Sequence, residues 1–121
     1  VIGLGIDICQ IERIDKALQK DERFLLRYFT QEERNYLNTR SAAQSAAGMF
    51  AAKEAFLKAL GVGLSGGVAL ADIGVAHDAQ GCPSYSLSKK AADAMRRKGA
   101  SASFLSISHD AGVAAAVCVL E

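Results

Sequence analysis

SAAQSAAGMFAAKEAFLKALG, residues 41–61, is the stretch from which the rest of the chain can be read. Alanine leads the helix-forming residues, Ser41 stands ahead of the run, and Gly61 follows it where a left-handed stop is expected. A long helix reaching Leu60 is the natural reading. At about 100° per residue, Ala43, Ala46, Ala47, Phe50, Glu54 and Leu57 share one side. The opposite side carries Gly48, Ala52, Ala55 and Ala59, a ridge of small residues that lets another element pack closely. Such a helix is buried over most of its circumference, and Glu54 interrupts one of its apolar stripes.

Upstream, Ile2, Leu4, Ile6 and Ile8 alternate with Gly3, Gly5, Asp7 and Cys9. That is the period of a strand with one greasy face. Residues 12–20 and 23–29 read as helical, and Thr30 with Glu33 resembles a capping box opening a short helix toward Leu37. Downstream of the Gly-rich residues 61–67, strands at 73–76 and 84–87 are joined by a turn holding Asp78, Gly81 and Pro83. Ser88 can cap a helix over 89–98 that stops at Gly99. Two last strands, 104–108 and 113–120, flank a turn at Asp110 and Gly112. The sum is an α+β fold, a mainly antiparallel sheet packed on a long central helix.

With 121 residues, half of them hydrophobic, the chain is read as a single domain, 1–121. A domain of this size buries only about two-thirds of its unfolded surface, so a deep cofactor cleft is easier to build between subunits than within one. Fourteen Lys and Arg against 13 Asp and Glu leave no global field to attract nucleic acid or an anionic membrane. Cys9, Cys82 and Cys118 form no CxxC pair, and no run is long enough to span a bilayer or carries a signal-peptide pattern. Reduced thiols and a cytoplasmic address follow as expectations.

Two carboxylates stand in awkward places. Burying Glu54 ionised costs several kcal/mol unless it is paired or binds a metal. One partner is Lys58, four residues on, in a helical ion pair worth about 0.2–0.5 kcal/mol. The other reading brings in Asp7, whose strand face has been cleared by Gly3 and Gly5, as though room were left beside a carboxylate. One Asp and one Glu with open positions suit Mg²⁺ completed by water and phosphate oxygens. Neither His77 nor His109 has zinc-ligand spacing.

The segment Gly5-Ile6-Asp7-Ile8, continued by Ile11-Glu12-Arg13-Ile14, resembles the opening signature of holo-acyl-carrier-protein synthases, the small 4'-phosphopantetheinyl transferases. Phe50 to Gly61, FAAKEAFLKALG, is similar to that family's central helix almost letter for letter. Arg23-Phe24, Phe29-Thr30 with Glu33, Asp72-Ile73, Gly81 with Pro83, and Ser106-Ile107-Ser108-His109 extend the likeness from end to end.

The resemblance implies the family's fold, a homotrimer, and coenzyme A bound between neighbouring subunits. It implies that Asp7 and Glu54 hold Mg²⁺, that Lys58 approaches the reacting phosphate, and that Lys53, Lys58, Gly61, Gly63, Ser108 and His109 contact the coenzyme. Apart from the motif, His109 reads as a core histidine facing inward with Leu105 and Ile107. Two positions depart from the pattern: Met49 stands where many members have arginine, and Val62 where threonine is usual. Larger monomeric relatives have a glutamate where this chain has Cys9, leaving that coordination position to water.

The implied reaction is attack by a serine of apo acyl carrier protein on the β-phosphorus of coenzyme A, with Asp7, Glu54 and Lys58 as catalytic residues. No enzyme nucleophile is needed, which fits the absence of a GxSxG elbow or a Walker loop. Carrier proteins are acidic. Arg13, Lys16, Lys20, Arg23 and Arg27 recur at spacings of three and four and would align on one continuous helix; Arg13, Lys20 and Arg23 match the family's carrier-facing cations. The alternative is a solvated helix face. For the whole protein, the alternatives are a catalytically silent binder of coenzyme or carrier, and another Mg²⁺-dependent phosphotransfer enzyme.

Overall fold

A computed structural model describes residues 1–38, 42–61 and 66–121. Strand β1 (Gly3–Gln10) leads into α1 (Ile11–Lys20), then α2 (Arg23–Tyr28), α3 (Gln31–Leu37) and the long α4 (Ala42–Leu60). A 3₁₀ turn (Leu70–Asp72) opens the hairpin of β2 (Ile73–His77) and β3 (Pro83–Leu87). Helix α5 (Lys89–Lys98) then leads to β4 (Ser103–Asp110) and β5 (Val113–Leu120). Strands β1, β5 and β4 form an antiparallel sheet in that order, and β2 and β3 a second antiparallel ladder.

Local chemistry sets the boundaries. Thr30 Oγ1 accepts from the Glu33 amide at 3.1 Å while Glu33 Oε1 accepts from the Thr30 amide at 2.8 Å, the reciprocal cap that orders the start of α3. Ser88 Oγ does the same for α5, accepting from the Ala91 amide at 3.2 Å. Gly61 ends α4 at φ +80°, a conformation that costs a side-chain-bearing residue, and its amide bonds back to Leu57. The cap expected at Ser41 lies outside the described residues.

Helix α4 lies on the inner face of the three-stranded sheet, and its small-residue ridge makes the contact. A Cβ added at Gly5 would fall on the Ala55 carbonyl, and one at Gly3 on the Ala59 carbonyl. The volume missing from β1 is therefore filled by helix backbone. This corrects the reading of those glycines as room left beside Asp7: they admit the helix that carries Glu54. Ala114, Ala116, Cys118 and Leu120 of β5 complete the buried layer.

The greasy face of β1 turns the other way. Leu4, Ile6 and Ile8 are 65, 61 and 69 % exposed, and Phe104 of β4 is 54 % exposed. Leu4 and Phe104 both pair with Val119, so the apolar side chains run across all three strands of the outer face.

Candidate active site

Asp7 sits on the α4 side of β1, where strand alternation puts it in line with Gly5 and Cys9. Lys58, in the last turn of α4, donates to Asp7 Oδ1 at 3.0 Å and to the Ile6 carbonyl at 3.1 Å. Glu54 lies one turn earlier on the same helix. The Glu54–Lys58 contact pair offered as the plain explanation of Glu54 does not form: Lys58 reaches across to the strand. Glu54 is half-buried and has no hydrogen bond or ion pair among the described residues.

Burial pushes the Glu54 carboxyl above the usual carboxylate range, the Asp7 charge pushes it further, and the Lys58 ammonium offsets part of the rise. A divalent cation bound by the two carboxylates would favour their ionised forms and offset that rise. The donor set is hard oxygen, as Mg²⁺ prefers. Cys9 shares the strand face, but its thiol is held protonated mainly by burial and does not suit that ion. Among the described residues no cluster of three or more His, Cys, Asp and Glu could hold a metal, so an ion held by Asp7 and Glu54 would have to take its remaining ligands from substrate and water.

Asp7 and Glu54 line a cleft of about 280 Å³ together with Arg13 and the apolar Ile14, Ala17, Phe24 and Phe50. The Phe24 and Phe50 rings stack at 5.9 Å between centroids. The cleft thus joins two carboxylates and a cation to an apolar wall.

Other expected residues fall elsewhere. Lys53, expected at the coenzyme, is fully buried on a different side of α4. Its ammonium donates to Glu33 at 2.7 Å, to the Ile73 carbonyl at 2.8 Å and to the Leu70 carbonyl at 3.3 Å. All three donors are used, so coenzyme contact by Lys53 is corrected to a structural role. Removing either ion would strand the other, at a cost of about 3–5 kcal/mol. Gly63 and Val62 lie outside the described residues, whereas Gly61 caps α4 two turns beyond Glu54. Met49 is fully buried.

Ser108 and His109 follow one another on β4 and so point to opposite faces of the sheet. A Cβ on Gly48 would come within 3.1 Å of His109 Nε2, so the imidazole lies against α4. It lines a cavity of about 190 Å³ with Ser45, Tyr36 and His77. His77 and Tyr36 stack there with centroids 4.4 Å apart and planes 8° from parallel. Sequence reading kept His77 and His109 apart because they lie on separate elements; His77 is the last residue of β2 and His109 the last but one of β4, and both line this cavity. The cleft with Asp7 and the cavity with His109 share no lining residue.

The basic row is also redrawn. Helix α1 ends at Lys20, and Asp21 is extended at φ −172°, so Arg23 and Arg27 belong to α2 and the five cations share no single helix. Lys16 pairs with Glu12 at 3.2 Å and Arg23 with Asp21 at 2.7 Å. Arg13, Lys20 and Arg27 have no carboxylate partner among the described residues. Beside Arg23 and Arg27, Leu26 is 58 % exposed, a large apolar side chain that helical spacing gave no reason to single out.

A profile of the 4'-phosphopantetheinyl transferase superfamily matches residues 3–118. The chain belongs to that family. A holo-[acyl-carrier-protein] synthase of Geobacter sp. (strain M21) is 45 % identical, the match covering all of this chain and 98 % of the relative. The holo-[acyl-carrier-protein] synthase of Neisseria meningitidis superimposes with a TM-score of 0.91 at 33 % identity, over 100 % of this chain and 98 % of that one. The Helicobacter pylori holo-[acyl-carrier-protein] synthase, solved in complex with coenzyme A, gives 0.85 at 36 % identity over 98 and 99 %. Among the described residues no helix is long and apolar enough to cross a membrane.

Proposed function

We propose that this member of the family transfers the 4'-phosphopantetheine group of coenzyme A to a serine of apo acyl carrier protein. The observation that carries the reading is the Asp7, Glu54 and Lys58 cluster beside an apolar cleft, in a chain whose close relatives bear the name of that synthase. The serine oxygen forms a bond to the β-phosphorus, the bond from that phosphorus to the bridging oxygen breaks, and adenosine 3',5'-bisphosphate leaves with the bridging electrons. The serine proton goes to a base.

Asp7 and Glu54 are read as the residues that hold Mg²⁺, which when bound supplies charge neutralisation on the pyrophosphate. Lys58, more than half exposed at its side chain, has one donor left over from Asp7 and the Ile6 carbonyl and can turn it to a phosphate oxygen without leaving Asp7. Glu54, half-buried and with no hydrogen bond or ion pair among the described residues, is the candidate acceptor of the serine proton, directly or through water.

The same reading assigns the apolar outer sheet face to self-association as a homotrimer. Leu4, Ile6, Ile8 and Phe104, each more than half exposed on one sheet face, form the kind of apolar patch that marks an interaction surface. Association also supplies a reason for the separation of His109 and Ser108 from Asp7: coenzyme lying between subunits would meet the carboxylates of one and the β4 residues of its neighbour. Arg13, Lys20 and Arg23, with exposed Leu26, are the assigned docking surface for the acidic carrier. The three free thiols accord with a cytoplasmic location.

Chromatographic detection of adenosine 3',5'-bisphosphate tests the reading. Release should require coenzyme A, Mg²⁺ and apo carrier together. Release without carrier would identify a pyrophosphate hydrolase, and none under any condition would leave a binding module.

A further inference from the structure

The buried pair of Glu33 and Lys53 has a geometry that ordinary core packing does not require. Glu33 Oε2 accepts from the Val75 amide at 2.9 Å, and Lys53 donates to the Ile73 carbonyl at 2.8 Å. Both backbone groups lie on the edge of β2 turned away from β3, where no strand continues the ladder among the described residues. The two side chains satisfy that edge as a neighbouring strand would. Glu33 also caps α3 through the Thr30 amide, and the Lys53 ammonium stands 5.2 Å from the centre of the Phe29 ring. One ion pair thus ties α3, α4 and β2 together.

Helix α4 is held on several sides. Against β1 it presents Ala55 and Ala59 to glycines, Lys58 in its last turn bonds Asp7 and the Ile6 carbonyl, and Met49, Phe56 and Leu57 are buried in the core. Lys53 adds the charged tie to α3 and β2, and Glu54 is the next residue. A rotation of about 20° would sweep a side-chain end at a radius of about 5–6 Å through about 2 Å, enough to spoil the approach of Glu54 to Asp7. Along the other arm of the tie, Tyr36 is one turn beyond Glu33 and His77 two residues beyond Val75; these are the rings that stack at 4.4 Å beside His109.

We propose that Glu33 and Lys53 are positioning residues of the transferase site, standing in for the missing neighbour of β2 and fixing the rotation of α4 that aims Glu54 at Asp7. The proposal rests on the transferase reading above.

The test is Glu33→Gln combined with Lys53→Met, which removes both charges together, keeps an acceptor for the Val75 amide and fills the lysine stem. With no ion left unpaired the variant should melt close to wild type. Its kcat should fall about tenfold or more while the KM for carrier stays within about threefold. Mn²⁺ titrated in the presence of coenzyme A and followed by electron paramagnetic resonance should bind about tenfold more weakly. A folded variant with wild-type kcat and Mn²⁺ affinity overturns the proposal. Should the variant not fold, native-state hydrogen exchange of the wild type decides. Val75 N–H exchanging only by global unfolding supports a rigid tie, and exchange by local opening overturns it. If wild type makes no transfer, the functional reading fails and the Mn²⁺ measurement alone decides the positioning.

Discussion

Gly5→Ala adds a single methyl group at the place where strand and helix come closest. The new Cβ would overlap the Ala55 carbonyl oxygen and lie 2.7 Å from the Ala59 amide nitrogen. Both are backbone atoms of α4, so no rotamer change relieves the clash. The helix must withdraw by roughly 1 Å or more to restore ordinary contact. Overpacking costs about 1–3 kcal/mol, and two rigid partners place this substitution at the upper end. For a chain of this size each kcal/mol lowers Tm by about 3–5 °C, so a fall of about 10 °C is expected. The same withdrawal moves Glu54 from Asp7, and a 1 Å misplacement can cost about 100-fold in turnover. Thermal unfolding at matched protein concentration and steady-state kinetics measure both effects. Gly99→Ala is the control: it ends α5 at φ +103° with nothing within 4 Å of its Cβ, so it should show only about 1–2 kcal/mol of backbone strain and full turnover. A Gly5→Ala protein with unchanged Tm and turnover would refute the close β1–α4 contact and the reasoning built on it.

Glu54 has a folded-state pKa above its unfolded value, so its contribution to stability is complete below the unfolded pKa and is lost as pH rises through the folded pKa. Glu54→Gln should therefore raise Tm relative to wild type at pH 8 and leave it little changed at pH 4, as calorimetry across that range would record; an equal shift at both pH values would contradict the assignment. Ile6→Asp, on the exposed sheet face, should leave a folded monomer in analytical ultracentrifugation where wild type sediments as a trimer; a wild-type monomer would remove the self-association reading. Arg13→Glu should raise the KM for carrier about tenfold at low salt, less at high salt, and leave the KM for coenzyme A alone.

Much of the fold was legible because its signals are local. The Thr30 and Glu33 cap, the Gly61 stop, the Ser88 cap and the period-two run of β1 each act within a few residues, and each element stands within a few residues of its expected place. The family signature named Asp7, Glu54 and Lys58, and the structure brings them to one place. What sequence could not supply was direction. The run of Leu4, Ile6 and Ile8 announces a greasy face without saying whether core or partner covers it, and here the glycine face is the one turned inward. Lys53 and Glu54 are consecutive in a shared motif, yet about 100° of helix rotation sends one into the core and the other to the cleft. The spacing of Arg13 to Arg27 assumed a continuous helix that the extended Asp21 interrupts. The Glu33–Lys53 tie spans 20 residues and closes on backbone groups, which have no sequence signature.

The most direct test is the mass of an apo acyl carrier protein after incubation with this protein, coenzyme A and Mg²⁺. The account predicts a gain of one phosphopantetheine on a serine, abolished by chelation and by Asp7→Ala in a protein that still folds. A carrier whose mass is unchanged with wild type, or that gains the group equally well with Asp7→Ala, would contradict it.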